Sequence, residues 1–224
     1  MFIGHYAVAL AAKRIEPGVS LGTTVLAAQL ADLAFPVFLL LGLEHVRIDP
    51  AATPVTPLDF SDYPLSHSLV ALVGWGMLVG AVVYLARRSW RAAGLVLGIV
   101  ISHWFLDLVV HRPDLPLAPG GDARFGLGLW YSLPATLVVE STCFVAAVWI
   151  YLRGTRPLDR VGRFALIALL VFLPTVWLGA VLGPPPPSEG ALIATMFAIW
   201  LTVAWAYWID RHRAMTAATR ESVA

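Results

Sequence analysis

The chain has 224 residues, of which 59% are hydrophobic and 13% charged, and its net charge is +1. A soluble domain carries roughly 25% charged residues, so a water-soluble globule is excluded. The near-neutral balance also gives no footprint for nucleic acid or for a strongly acidic partner.

The first apolar stretch, Phe2 to Ala12, is followed by Lys13 and Arg14. A cleavable signal has the opposite order, with its positive charges first. The stretch is also shorter than the ~20 residues needed to span a bilayer. It predicts a short N-terminal helix that is half-inserted or interfacial, or one buried among its neighbours. Six longer apolar runs then follow, approximately 20–43, 66–86, 92–111, 130–152, 162–182 and 190–209. The expected fold is an all-α integral membrane protein forming a single transmembrane domain over 1–224. Pro36 and Pro174 fall inside two of the spans and predict kinks, tolerated where a neighbouring helix or water satisfies the freed carbonyl. Cys143, the only cysteine, sits in an apolar run and is expected to be a small buried hydrophobe.

The connections alternate in character. Lys13 and Arg14, then Arg87, Arg88 and Arg91, then Arg153, Arg156, Arg160 and Arg163, then Arg211, Arg213 and Arg220 mark one side. The intervening loops, 44–65, 112–129 and 184–189, are longer or proline-rich and hold Asp49, Asp59, Asp62, Asp114 and Asp122. The positive-inside rule puts the Arg-rich turns and both termini in the cytoplasm. The nine tryptophans read as an interfacial belt and packing residues, several lying near span ends.

Ionisable side chains at bilayer depth cost ~2.5–3.5 kcal/mol each, so each needs a partner or a task. This chain places Asp32 in the first long span, His103, Asp107 and His111 in the third, and Glu140 in the fourth, with His67 opening the second and His5 in the N-terminal segment. The spacing His103-x3-Asp107-x3-His111 stacks three side chains in one stripe along a helix. Imidazole and carboxylate are both ordinary zinc ligands. Counting ~1.5 Å per residue from the Arg-rich side places Asp32, His103 and Glu140 at ~18–20 Å, Asp107 at ~24 Å, and His67 and His111 at ~30 Å. His5 falls at ~12 Å on the same count. The expectation is a column of polar groups open to the outer face. Taken singly, each residue is most simply an interhelical hydrogen bond worth ~1 kcal/mol or less; taken together they point to a site. His45 reads as a loop residue, and His212 as a surface residue of the tail.

His5 near the start, Asp32 ending the first long apolar run, Ser66-His67-Ser68, and His103 with Asp107 four residues on follow one another in a suggestive order. Over residues 1–111 the chain resembles the bacterial membrane-bound, metal-dependent hydrolases also described as LexA-binding, inner-membrane-associated hydrolases. That family has an N-terminal Thr-His, a Pro-Asp-x-Asp, a Thr-His-Ser and a later His-x3-Asp. Here Gly4 replaces the Thr before His5, Ala31-Asp32-Leu33-Ala34 keeps one acid of the pair, and the family's His-Arg upstream of His67 is missing. Loss of the second acid counts against a two-metal site. The resemblance implies a bacterial inner-membrane location, bound metal, and a phospholipid or lipid-linked substrate.

On this reading His67, His103 and Asp107 hold a divalent metal, zinc by preference, with His5, Asp32 and His111 as further candidate ligands. Glu140 or Asp32 would be the general base. The membrane lipids are the only partners implied. Two other classes fit the same residues. A ladder of acids and histidines also serves a proton-coupled transporter, though no internal repeat supports one. A non-catalytic scaffold would use segments 58–64 and 112–116 as a folded outer cap that binds another protein.

Overall fold

The computed structural model describes residues 1–216, so Arg220 lies outside the described residues. Helices dominate: α1 (Phe2–Ile15), α2 (Leu21–Ala28), α3 (Leu30–Leu40), α4 (Pro64–His67), α5 (Leu69–Arg87), α6 (Trp90–Val110), α7 (Leu133–Gly154), α8 (Arg160–Leu182), α9 (Glu189–Phe197) and α10 (Ile199–Arg211). Three small antiparallel pairs join β1 (His45–Ile48) to β2 (Leu58–Asp62), β3 (Leu115–Pro116) to β4 (Arg124–Phe125), and β5 (Thr155–Pro157) to β6 (Arg213–Met215). Five stretches are long and apolar enough to cross a membrane: α5, α6, α7, α8 and the run Glu189–Arg211. The pair α2 and α3 makes a sixth if it is taken as one span bent by 54°.

Local chemistry sets where the helices begin. Ser20, Ser68, Ser89, Ser132 and Ser188 each cap the helix that follows, accepting the N–H three residues on, and Asp159 does the same for α8. The α5–α6 hairpin turns on Arg88, which takes the left-handed conformation with φ 53°. Its two helices meet along Gly76 and Gly80, and a Cβ on Gly80 would sit 3.2 Å from the Ala93 carbonyl oxygen. Small residues at this spacing let membrane helices approach closely.

α1 differs from both surface options for the N-terminal segment. It is sheathed on nearly every side, with Ile3, His5, Tyr6, Ala9 and Leu10 buried, and packs on α7, α2 and α6. At ~21 Å it is too short to span ~30 Å of hydrocarbon, so its first turn ends inside the bundle. Neither Pro36 nor Pro174 interrupts its helix. The break in the first long span falls instead at Gln29, between α2 and α3. Cys143, expected inside, lies exposed on α7 because its run faces outward from the bundle.

Most of the basic residues gather at one end. Lys13 is buried there against Asp210 (2.8 Å) and the Val19 carbonyl (2.9 Å). Arg91 pairs with Glu16, Arg213 reaches Thr155 and the Gly162 carbonyl, and His212 pairs with Asp159. At the opposite end the β1–β2 hairpin, α4 and β3–β4 fold into a cap. His45 belongs to its first strand and pairs with Asp62. Arg112 bridges Asp59 and Asp114, and Arg47 also holds Asp59.

Candidate metal centre

Five of the polar residues read from the sequence meet in one place. His5, His103 and Asp107 form one group whose ligand atoms all lie within 4.8 Å of one another, and Asp32, His67 and His103 form a second. His103 belongs to both, so the two groups are halves of one cluster. His5 Nε2 is 3.1 Å from Asp107 Oδ1, His103 Nε2 is 3.1 Å from Asp107 Oδ2, and His67 Nε2 is 3.5 Å from Asp32 Oδ1. Zinc ligands at ~2.0–2.2 Å in a tetrahedral shell stand ~3.3–3.5 Å apart, so the spacing within each group fits an ion, with His103 common to both.

The column expected from depth counting is compressed into a shell for two reasons. The 54° bend at Gln29 sets α3 off the line of α2, so Asp32 does not lie where a straight span would carry it. The short turn α4 then folds His67 back beneath the cap, where it is buried. The same bend presents the Ala28 carbonyl to His103, whose Nδ1 lies 2.8 Å away. A carbonyl only accepts, so Nδ1 carries a proton, and in the neutral ring Nε2 is the lone pair. That Nε2 is buried and has no hydrogen-bond partner, although it faces the Asp107 carboxylate.

His67 is oriented from behind in a similar way. Its Nδ1 is 2.7 Å from Ser66 Oγ, and Ser66 Oγ is 2.7 Å from Glu44 Oε2. Glu44 is buried despite lying in a loop, and also accepts the N–H groups of Leu65 (2.7 Å) and Ser66 (2.8 Å). Burial pushes the Glu44 carboxyl above its ordinary value, against the pull of Ser66. His5 stacks flat on His103 with ring centroids 3.7 Å apart. The Met1 amino group lies 2.5 Å from Asp107 Oδ1, so the first turn of α1 closes that side.

The other two candidates lie apart from the shell. His111 bonds Asp114 (2.9 Å) and Tyr63 (3.2 Å) through Nδ1 and packs on Trp130, which ties it to the cap. The stripe along α6 includes it, but α6 ends at Val110 and the chain turns away there. Burial, with Asp114 beside it, pushes the Tyr63 phenol well above its usual value. Glu140 is buried on α7 and accepts the Ile3 N–H at 3.1 Å, with Gly4 also drawn in. It therefore caps the buried N-terminus of α1, where the helix dipole favours an anion. Glu44 had no role in the sequence reading, and Ser66 entered it only through the motif Ser66-His67-Ser68. Ser66 stood beside a candidate ligand, but nothing around Glu44 marked it.

A mostly apolar cavity of about 550 Å3 opens at the cap end, walled by Leu58, Trp130, Trp177 and Leu192, and reaches Phe2 and Glu140. Comparison with protein families, curated proteins and solved structures returns no match.

Proposed function

We propose that this chain is a membrane-embedded, metal-dependent hydrolase holding one divalent ion, zinc by preference, in the cluster of His5, Asp32, His67, His103 and Asp107, on His103 with either His5 and Asp107 or Asp32 and His67. One observation carries the proposal. The imidazole lone pair of His103 and two carboxylates converge in a buried place where no hydrogen bond satisfies His103 Nε2. The Met1 ammonium already pairs with Asp107, so what an ion would balance is the Asp32 carboxylate and the imidazole lone pairs, which are costly to leave bare in such surroundings.

A bound divalent ion lowers the pKa of its water toward ~7 and polarises a phosphoryl or acyl oxygen. Asp32 is the most exposed of the five, at 21% of its side chain against 6% or less for the others. It is the group placed to take a proton from an attacking water, whereas Glu140 is committed to α1. The apolar cavity at the cap end is lined by Glu140 but by none of the five; it suits the acyl part of a phospholipid or lipid-linked substrate. The resemblance to the membrane-bound metal-dependent hydrolases favours the same class. The gathering of arginines at one end supports a bacterial inner-membrane location with that end in the cytoplasm, but the expected cytoplasmic N-terminus does not hold, because Met1 is buried inside the bundle against Asp107.

The break in the α2–α3 pair supports a second reading, because interrupted helices at membrane depth are a feature of transporters. Reconstitution into phospholipid vesicles separates the two. The hydrolase reading expects release of a lipid fragment that stops with a chelator, returns with zinc, and is absent in Asp32→Asn. Proton or solute flux that ignores the chelator and is lost in Asp32→Asn supports transport instead.

A further inference from the structure

We infer that Glu44 and Ser66 are positioning residues for the metal centre, forming a carboxylate–hydroxyl–imidazole relay that fixes the tautomer and direction of His67. The inference rests on the metal reading above and assigns work to two residues outside the ligand set.

The geometry determines where each proton sits. Ser66 Oγ has one proton and faces the Glu44 carboxylate at 2.7 Å, His67 Nδ1 at 2.7 Å and the Tyr63 carbonyl at 3.4 Å. A short hydrogen bond to a carboxylate is roughly twice as strong as one between neutral groups, so the proton points to Glu44. Ser66 Oγ then has only lone pairs to offer His67, and Nδ1 must donate. His67 Nε2 is left unprotonated, facing Asp32. Metal-bound histidines usually hand their second ring N–H to such an acceptor, and loss of that acceptor costs 10–100-fold in metal affinity. His103 obtains the same result from a different partner, the Ala28 carbonyl. The two imidazoles thus enter the cluster in one tautomer, each set by a group on the far side of the ring.

Glu44 also has a purely architectural task, since it accepts the Leu65 and Ser66 N–H groups at the start of α4. Ser66→Ala separates the two tasks, because it leaves those backbone bonds in place and cuts only the relay. The experiment is zinc titration of the full chain in detergent, with cobalt(II) absorption as a spectroscopic readout of the ligand set. Ser66→Ala is expected to weaken zinc binding 10–100-fold and to change the cobalt spectrum. Ser66→Thr, which keeps the hydroxyl, is expected to restore both, while Ser66→Ala, which leaves the buried Glu44 carboxylate and His67 N–H without that partner, stays folded but unfolds a few degrees lower. Wild-type affinity and spectrum in Ser66→Ala overturn the relay while leaving the metal reading intact. An equal loss in Ser66→Ala and Ser66→Thr overturns it as well, since the hydroxyl is then not the cause. A wild-type chain that takes up no zinc overturns the metal reading and the relay together.

Discussion

Glu140 separates architecture from catalysis most sharply. Its carboxylate accepts the Ile3 N–H at 3.1 Å at the buried start of α1, and α1 carries His5. Glu140→Ala leaves that N–H without a partner, a cost of ~1–3 kcal/mol. It also removes an anion from a buried helix N-terminus, for up to ~2 kcal/mol more. At ~2–4 °C per kcal/mol for a chain of this size, the melting temperature should fall by ~2–20 °C. Glu140→Gln keeps an acceptor and loses only the charge, so ~1–2 kcal/mol and a fall of ~2–8 °C are expected. Thermal unfolding in detergent, run beside zinc uptake, reads both. If α1 loosens, metal affinity should fall in the same order as stability, Ala below Gln. A general base gives a different pattern, with ~100-fold or greater loss of turnover in Glu140→Gln at unchanged melting temperature and metal content. That pattern would refute the capping role.

His111→Ala should keep the full metal content, because His111 bonds Tyr63 and Asp114 in the cap; loss of the metal would return it to the ligand set. Gly80→Leu should cost ~1–3 kcal/mol by forcing α5 and α6 apart, whereas Gly98→Leu, where a Cβ meets nothing within 4 Å, should leave unfolding unchanged. Equal effects would show that the close approach of the two helices is not what Gly80 provides. The Asp159 carboxyl is held below its ordinary 3.8 by the Gly162 N–H and His212. A lowered carboxylate stabilises the fold above its unfolded value and loses that contribution as pH falls through the folded one. The melting-temperature gap between wild type and Asp159→Asn should therefore be full at neutral pH and close in acid; a gap that persists in acid would place the effect elsewhere.

Hydropathy carried the architecture, because a bilayer demands long apolar runs and these register in composition alone. The candidate ligands were legible as well, since an acid or histidine within such a run stands out against its surroundings. Their arrangement was not. Leu26-Ala27-Ala28-Gln29-Leu30-Ala31 is built of strong helix formers, so nothing local announces a break at Gln29. Pro36, which does announce one, stays within an unbroken helix. Depth counted along straight spans therefore spread into a column what the bend at Gln29 and the inward fold of α4 draw into a shell. His111 shows the converse error, since helical spacing placed it with Asp107 although the helix has ended. Glu44 was invisible for another reason: an acid in a polar loop is ordinary, and only the fold reveals that it is buried under Ser66.

Metal content per chain separates a bound ion from hydrogen bonding alone. Elemental analysis of detergent-purified wild type, with His103→Ala and Asp107→Ala beside it, should find one divalent ion per wild-type chain and none in either variant. A well-folded wild type without stoichiometric metal, even after zinc is supplied, would contradict the account and leave the cluster as hydrogen bonding between helices.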